Sequence, residues 1–389
     1  MKNMEKILFI FGAGASAEGG APLMGNFLDK ARVILSDKKI NLKYQEDFHK
    51  VFAAIDEFRN KRIEEKLNKE IDWNNIESVF SIFEEIQYIE NLSISLDDRK
   101  SLLSSLKRLI LETLTQSIIF PQSVKIELQY RQPSYPYGLF ATLLNEIKMS
   151  NKYNISLITF NYDISLDLAL NLLVLPYGYC LDRDYQIPLL KPHGSLNWAI
   201  CNKCGGISPV TINEYGQKYF NSRIIDEFFK TELGREPQIG KNMHLEMRNL
   251  LNKHECPYCK TKSLSNPVLC DEEPFIIPPT KNKNYEKLKI IHDRVKEEIG
   301  SVDYIYIIGY SFPESDDSIR KYIDEHAKNY KRMIIINPEQ SLKEQFKDYN
   351  YKREIRNLKF KESIRTIAED LNLDYIKIMN TADFLGLSV

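Results

Sequence analysis

At 389 residues, with 43% hydrophobic positions and a mean hydropathy of −0.37, the chain is long enough for two or three domains with a sizeable core. Fifty-three basic against 54 acidic side chains leave a formal charge of −1, which gives no support to a chain-wide nucleic-acid or anionic-membrane surface. Sixteen glycines and 16 prolines exclude collagen-like and linker-dominated chains, and six cysteines are too few for a disulfide scaffold.

Lys2 and Lys6 precede the apolar run Ile7–Phe11, and Ala15-Ser16-Ala17 mimics a signal-peptidase site. The run is shorter than the roughly 7–15 residues of a secretory core, so it reads as a buried parallel strand entering a loop at Gly12. No uncharged apolar stretch approaches the ~18–20 residues that span a bilayer, and a cytoplasmic location is expected.

The loop Gly12-Ala13-Gly14-Ala15-Ser16 then precedes a helix. Glycines there let a phosphate approach the backbone where a Cβ would clash, and the helix N-terminus adds unpaired N–H groups. Ala17 completes a Gly-x-Gly-x-x-Ala variant, and Asp37 stands where a dehydrogenase would carry its ribose-binding acid. However, Glu18-Gly19-Gly20-Ala21-Pro22 breaks the long helix that such an enzyme needs. Taken alone, the loop also reads as a tight turn.

Residues 42–149 carry apolar side chains at three- and four-residue spacing, as in Ile76, Val79, Phe80, Phe83 and Ile86, and in Leu102, Leu106, Leu109 and Ile110. These are amphipathic helices with loops at Pro121, Pro133 and Pro136, and their role is packing. Strand character returns at Ile155–Phe160. There Thr159-Phe160-Asn161-Tyr162-Asp163 occupies the carboxyl end, where ligands bind in open α/β sheets. Asn161 and Asp163 can orient a ribose hydroxyl or a water, or they can simply cap the next helix. Lys191-Pro192-His193-Gly194-Ser195 follows the strand-like Ile187–Leu190. His193 is a candidate general base, or a structural histidine.

Cys201-x-x-Cys204 and Cys256-x-x-Cys259 supply four thiolates, the donor set of a closed, structural tetrahedral zinc site. The segment between the pairs is longer than the usual ~15–20 residues, and His254 and Cys270 are competing ligands. Strands at 304–308 and 333–336, separated by a helix around 315–329, end in Gly309-Tyr310-Ser311-Phe312-Pro313 and Asn337-Pro338-Glu339. The alternation predicts an α/β fold with a Rossmann-like, doubly wound parallel sheet, in which these loops surround one crevice. The expected division is 1–41, 150–199 and 273–389 for the sheet domain, 42–149 for a helical insertion, and 200–272 for a zinc-ribbon-like module.

In this order the pieces resemble the sirtuin family of NAD-dependent enzymes. The match comprises Gly12–Ser16, Thr159, Asn161 and Asp163, His193-Gly194, the two cysteine pairs, Gly309-Tyr310-Ser311 and Ile336-Asn337. It spans residues 12–337 but covers few positions. The resemblance implies dinucleotide contacts from Gly12, Ala13, Gly14, Ser16, Thr159, Gly309, Ser311 and Asn337. It also implies a nicotinamide-ribose pocket lined by Asn161 and Asp163, His193 as catalytic base, and structural zinc on Cys201, Cys204, Cys256 and Cys259.

Two departures bear on the reaction. Pro22 is followed by Leu23-Met24-Gly25, without the arginine of protein-deacylating sirtuins, and their peptide-binding segment is replaced by Phe275-Ile276-Ile277-Pro278-Pro279-Thr280. Prolines donate no ladder hydrogen bonds to an extended peptide. The chain thus looks like the bacterial sirtuin-like proteins of antiphage defence. That implies NAD+ hydrolysis to nicotinamide and ADP-ribose, in a homo-oligomer controlled through a partner such as a hexameric ATPase. The alternatives are a protein deacylase or ADP-ribosyltransferase, and a non-catalytic sensor of NAD or an ADP-ribose derivative.

Overall fold

The apolar run at the amino end forms the inner part of strand β1 (Glu5–Phe11), where every residue from Ile7 onward is buried. A strand buried on both faces belongs in the middle of a parallel sheet, and β1 lies there, between β2 (Tyr153–Thr159) and β9 (Tyr304–Ile308). The remaining strands are β3 (Tyr177–Gly178), β4 (Ile187–Leu190), β10 (Arg332–Ile336) and β11 (Arg353–Arg356). The order is β11-β10-β9-β1-β2-β4-β3, and every pairing is parallel. The computed structural model describes residues 4–37, 42–62, 70–86, 96–120, 133–181, 184–201, 203–209, 259, 274–277, 286–313, 317–339, 342 and 353–387.

From β1 the chain builds outward through β2 and β4, then crosses to the other side for β9, β10 and β11. That reversal of winding direction opens a crevice at the carboxyl ends of the central strands. The register aligns those ends: Phe11 pairs with Thr159 and with Ile308, Ile308 with Ile336, and Ile158 with Leu190. The loops at 12–16, 160–163, 191–195, 309–313 and 337–339 therefore leave one edge of the sheet.

Further helices and a short antiparallel strand pair accompany the sheet. They are α1 (Ala13–Ala17), α2 (Phe27–Ser36), α3 (Leu42–Asn60), α4 (Ile76–Ile86), α5 (Leu96–Ser117), α6 (Tyr137–Met149), α7 (Ser165–Leu172), and the antiparallel pair β5 (Gly194–Ser195) and β8 (Phe275–Ile276). Helix α1 is short because Gly19 and Gly20 follow it, as the sequence leads one to expect.

Two apolar clusters organise the packing. The sheet cluster includes α6, which the sequence groups with the helical insertion. Phe140 of α6 meets Phe9 and Phe11 edge-on at 5.1 Å. The helical cluster holds α3, α4 and α5 and also takes in α2, through Phe27, Leu28, Ala31 and Ile34. Arg108 binds Asp47 through two hydrogen bonds of 2.8 and 2.6 Å, joining α5 to α3. Tyr162, Ile164, Leu196 and Ile276 also belong to this cluster, so the helices pack directly behind the loops that follow β2 and β4.

Helices α8 (Lys289–Gly300) and α9 (Asp317–His326) precede β9 and β10, and after β11 the helices α10 (Phe360–Asp370) and α11 (Tyr375–Leu385) return to the sheet. Phe360 packs against Phe11, Tyr137 and Phe140 with ring separations of 5.2 to 5.6 Å. Among the described residues, no helix is long and apolar enough to cross a membrane.

Candidate active site

A cavity of about 850 Å3 opens at the carboxyl edge of β1, β2, β9 and β10, within the range of small-molecule sites. Ala13, Gly14, Asn161, His193, Gly309, Ser311 and Asn337 line it. Gly12, Ser16, Thr159 and Asp163 lie behind the wall and act on what faces inward.

Asn161 shows how. Its Nδ2 donates to the Gly12 carbonyl and to Ser16 Oγ, each at 2.9 Å, and approaches the Tyr137 hydroxyl at 3.4 Å. Ser16 Oγ in turn donates to Asp163 Oδ2 at 2.8 Å. Its single hydrogen is thereby committed, so at 3.0 Å the Tyr137 hydroxyl must donate to Ser16. Burial first, and then the neighbouring Asp163, push the Tyr137 phenol well above its ordinary range, which keeps it a donor. With its amide hydrogens held inward, Asn161 turns its carbonyl oxygen toward the cavity.

Asp163 does not line the cavity. Its Oδ1 accepts the Ser165 N–H at 2.8 Å, in the turn that leads into α7, and its Oδ2 anchors Ser16. One carboxylate thus ties the turn before α7 to the loop after β1. Thr159 Oγ1 accepts the Asn161 N–H at 3.2 Å.

His193 is 3% exposed and stands edge-on to Phe160, with ring centres 4.9 Å apart and Tyr162 at 6.4 Å. Its carbonyl accepts the Ile277 N–H at 2.8 Å, and the Tyr162 hydroxyl donates to the Ile277 carbonyl at 3.0 Å. Pro278, Pro279 and Thr280 lie outside the described residues.

The glycines after β1 are also required by the packing of the chain itself. A Cβ on Gly12 would meet Tyr310 Cα at 2.6 Å and the Gly309 carbonyl at 2.7 Å, and one on Gly14 would meet that carbonyl at 2.9 Å. They let the loop after β1 close on the loop after β9, where Gly14 N–H donates to the Gly309 carbonyl at 2.8 Å. Asn337 also turns to the chain itself. Its Nδ2 donates to the Tyr310 carbonyl at 3.2 Å and its Oδ1 accepts the Glu339 N–H at 2.9 Å.

The lining residues Asn75, Glu77 and Lys359 belong to no motif in the sequence. Asn75 and Glu77 start α4, so the helical cluster supplies part of the wall beyond its packing role. Helix α10 carries a legible apolar spacing, from Phe360 through Ile364 and Ile367 to Leu371; its approach to the cavity depends on the fold.

Cys201, Cys204 and Cys259 place their sulfurs within 4.8 Å of one another, with Cys201 and Cys259 sulfurs 3.7 Å apart. That is too long for a disulfide at ~2.05 Å and suits two thiolates on a tetrahedral zinc, whose ~2.3 Å bonds imply ~3.8 Å between sulfurs. Strands β6 (Trp198–Ile200) and β7 (Ile207–Pro209) pair as a hairpin around the first pair of cysteines. Gly205 N–H donates to the Cys201 carbonyl at 2.8 Å, which tightens the turn. Cys256 lies outside the described residues, as does most of the module at 200–272. The three thiols fit structural zinc. Cys201→Ser is therefore expected to lose the one zinc per chain that such a site retains, read by elemental analysis, and to lower the melting temperature. Full zinc content in that variant would show that Cys201 is not a ligand.

No protein-family model matches the chain, and no curated protein matches it. Among solved structures it is similar to a Sir2 homologue mutant in complex with ADP-ribose, at 14% identity and a TM-score of 0.39, over 96% of this chain and 95% of that one. It is also similar to a Sir2 enzyme at 15% identity and a TM-score of 0.40, over 95% and 93% of the two chains. A third is a Sir2 homologue–NAD complex at 14% identity and a TM-score of 0.38, over 95% and 90%.

Proposed function

We propose that the cavity binds NAD+ and hydrolyses its nicotinamide–ribose bond, releasing nicotinamide and ADP-ribose. The observation that carries this reading is the fixed orientation of Asn161, whose carbonyl oxygen faces the space that His193 also lines.

The bond breaks with its electron pair leaving on the nicotinamide nitrogen, so positive charge develops at the ribose carbon. A carbonyl dipole held toward the cavity stabilises such charge without reorganising. The same oxygen accepts a hydrogen bond from a water and leaves the water's lone pair free to attack. His193 takes the proton that the water loses as it bonds to carbon. Phe160 and Tyr162 provide the apolar and aromatic surface beside it.

Hydrolysis is favoured over deacylation by the state of the backbone beside His193. Both the N–H and the carbonyl of Ile277 are engaged within the chain, and the two prolines that follow have no N–H to offer a peptide strand. The departures from the deacylase motifs support an NAD-depleting effector in bacterial antiphage defence. Such an enzyme must be restrained in its own cell, for which a homo-oligomer or an ATPase partner is a suitable means.

Purified protein incubated with NAD+ should yield nicotinamide and ADP-ribose in equal amounts, with no acceleration by an acetyl-lysine peptide. His193→Ala should lower the rate by about 10²–10⁴-fold. A His193→Ala rate equal to wild type would dismiss the mechanism, and strong stimulation by the peptide would favour deacylation.

A further inference from the structure

Lys191 is wholly buried, which is rare for a lysine unless it is paired. Its Nζ lies 2.7 Å from Asp167 Oδ2, and both side chains are shut off from solvent. The same Nζ donates to the Asp163 carbonyl at 2.9 Å and to Ser195 Oγ at 2.8 Å. Ser195 Oγ donates onward to the Tyr162 carbonyl at 3.1 Å, and Leu196 N–H donates to that carbonyl at 2.9 Å. Asp167 is steadied from its other oxygen by the Tyr179 hydroxyl, which accepts from Asn197 Nδ2 at 2.8 Å.

The ammonium thus grips the Asp163 carbonyl and the Ser195 hydroxyl directly, and reaches the Tyr162 carbonyl only through Ser195. It joins the loop after β2 to the loop after β4. None of Lys191, Asp167 and Ser195 lines the cavity. A buried ion pair adds little net stability over apolar residues of the same shape, so stability alone gives no reason for one here.

We propose that Lys191 is a positioning residue, whose ammonium, balanced by Asp167, holds the Asn161 carboxamide and the His193 imidazole at their working separation without touching substrate. This deepens the NAD-cleaving reading of the cavity and rests on it.

The test compares Lys191→Met with the neutral double variant Lys191→Met/Asp167→Asn. The single variant leaves a buried carboxylate without its partner and should melt early. The double variant removes both charges, retains an acceptor for Tyr179, and should regain most of the melting temperature. Its kcat should stay about a hundredfold below wild type, with KM within about threefold, because a displacement near 1 Å costs that much. Recovery of kcat together with melting temperature would reduce Lys191 to a structural role and overturn the proposal. Should the double variant not fold, Ser195→Ala decides: a lowered kcat at unchanged melting temperature supports the tie, and an unchanged kcat sinks it. His193 imidazole signals in ¹⁵N-histidine-labelled protein, assigned with His193→Ala, give a readout independent of turnover. If wild type releases no nicotinamide, the NAD reading falls by itself. Lys191 is then judged on whether those signals move in the folded variant, and unmoved signals overturn its role.

Discussion

Asn161→Ala is expected to lower nicotinamide release by about two to three orders of magnitude, the usual consequence of removing one preorganised polar group from a reacting centre. The fold should survive. The Gly12 carbonyl still accepts the Ala15 N–H at 3.0 Å, and Ser16 still donates to Asp163, so neither is left alone. The lost hydrogen bonds cost about 1–2 kcal/mol. Asn161→Asp sharpens the test. It keeps the size and an oxygen toward the cavity, but a carboxylate cannot donate to the Gly12 carbonyl or to Ser16, and it sits near Asp163. Its rate should also be low. Steady-state nicotinamide release with circular dichroism on both variants checks this. Full activity in Asn161→Ala, or its global unfolding, would remove Asn161 from the chemistry.

Gly309→Ala should show a large stability loss for a single added methyl near the cavity. Gly309 has φ of +63°, and its Cβ would lie 2.2 Å from the Ala15 nitrogen and 2.5 Å from the Gly14 carbonyl carbon. The backbone cannot rotate away, because Gly309 N–H is bound to Ile336 and its carbonyl to Gly14. Left-handed strain and forced displacement together should cost about 3 kcal/mol or more, or on the order of 5 °C in melting temperature. Gly25 also lines the cavity but has nothing within 4 Å of its Cβ position, so Gly25→Ala serves as the control with little expected change. Equal melting temperatures for the two variants would contradict the tight closure of the loops after β1 and β9.

The glycine loop at 12–16 hinted at a phosphate site, the resemblance made it a dinucleotide site, and local patterns carried much of the architecture. Runs such as Ile7–Phe11 and Tyr304–Ile308 exclude water on both faces, so each specifies a central strand whatever surrounds it. Strand-end loops rich in glycine, asparagine and histidine are visible because their residue types are unusual beside such runs. The extent of the helical cluster was less legible. Helix α6 and helix α2 both have an apolar face, and the spacing of that face says that it is buried but not against what. Asn75, Glu77 and Lys359 could not be found in advance, since surface-type residues on ordinary helices carry no local mark of facing a cavity.

The sequence by itself determined the parallel sheet, the residue types at its carboxyl edge and the thiols available for a metal, because each follows from periodicity or from chemistry within a short window. Only the tertiary structure decided what those residues face. Tyr137 lies far along the chain from Ser16 and Lys191 far from Asp163, yet their hydrogen bonds determine which end of Asn161 meets the cavity and how the His193 loop is held. The reason is physical: a side chain's partner in a dry interior depends on which strands are neighbours, and that emerges only when the sheet is assembled.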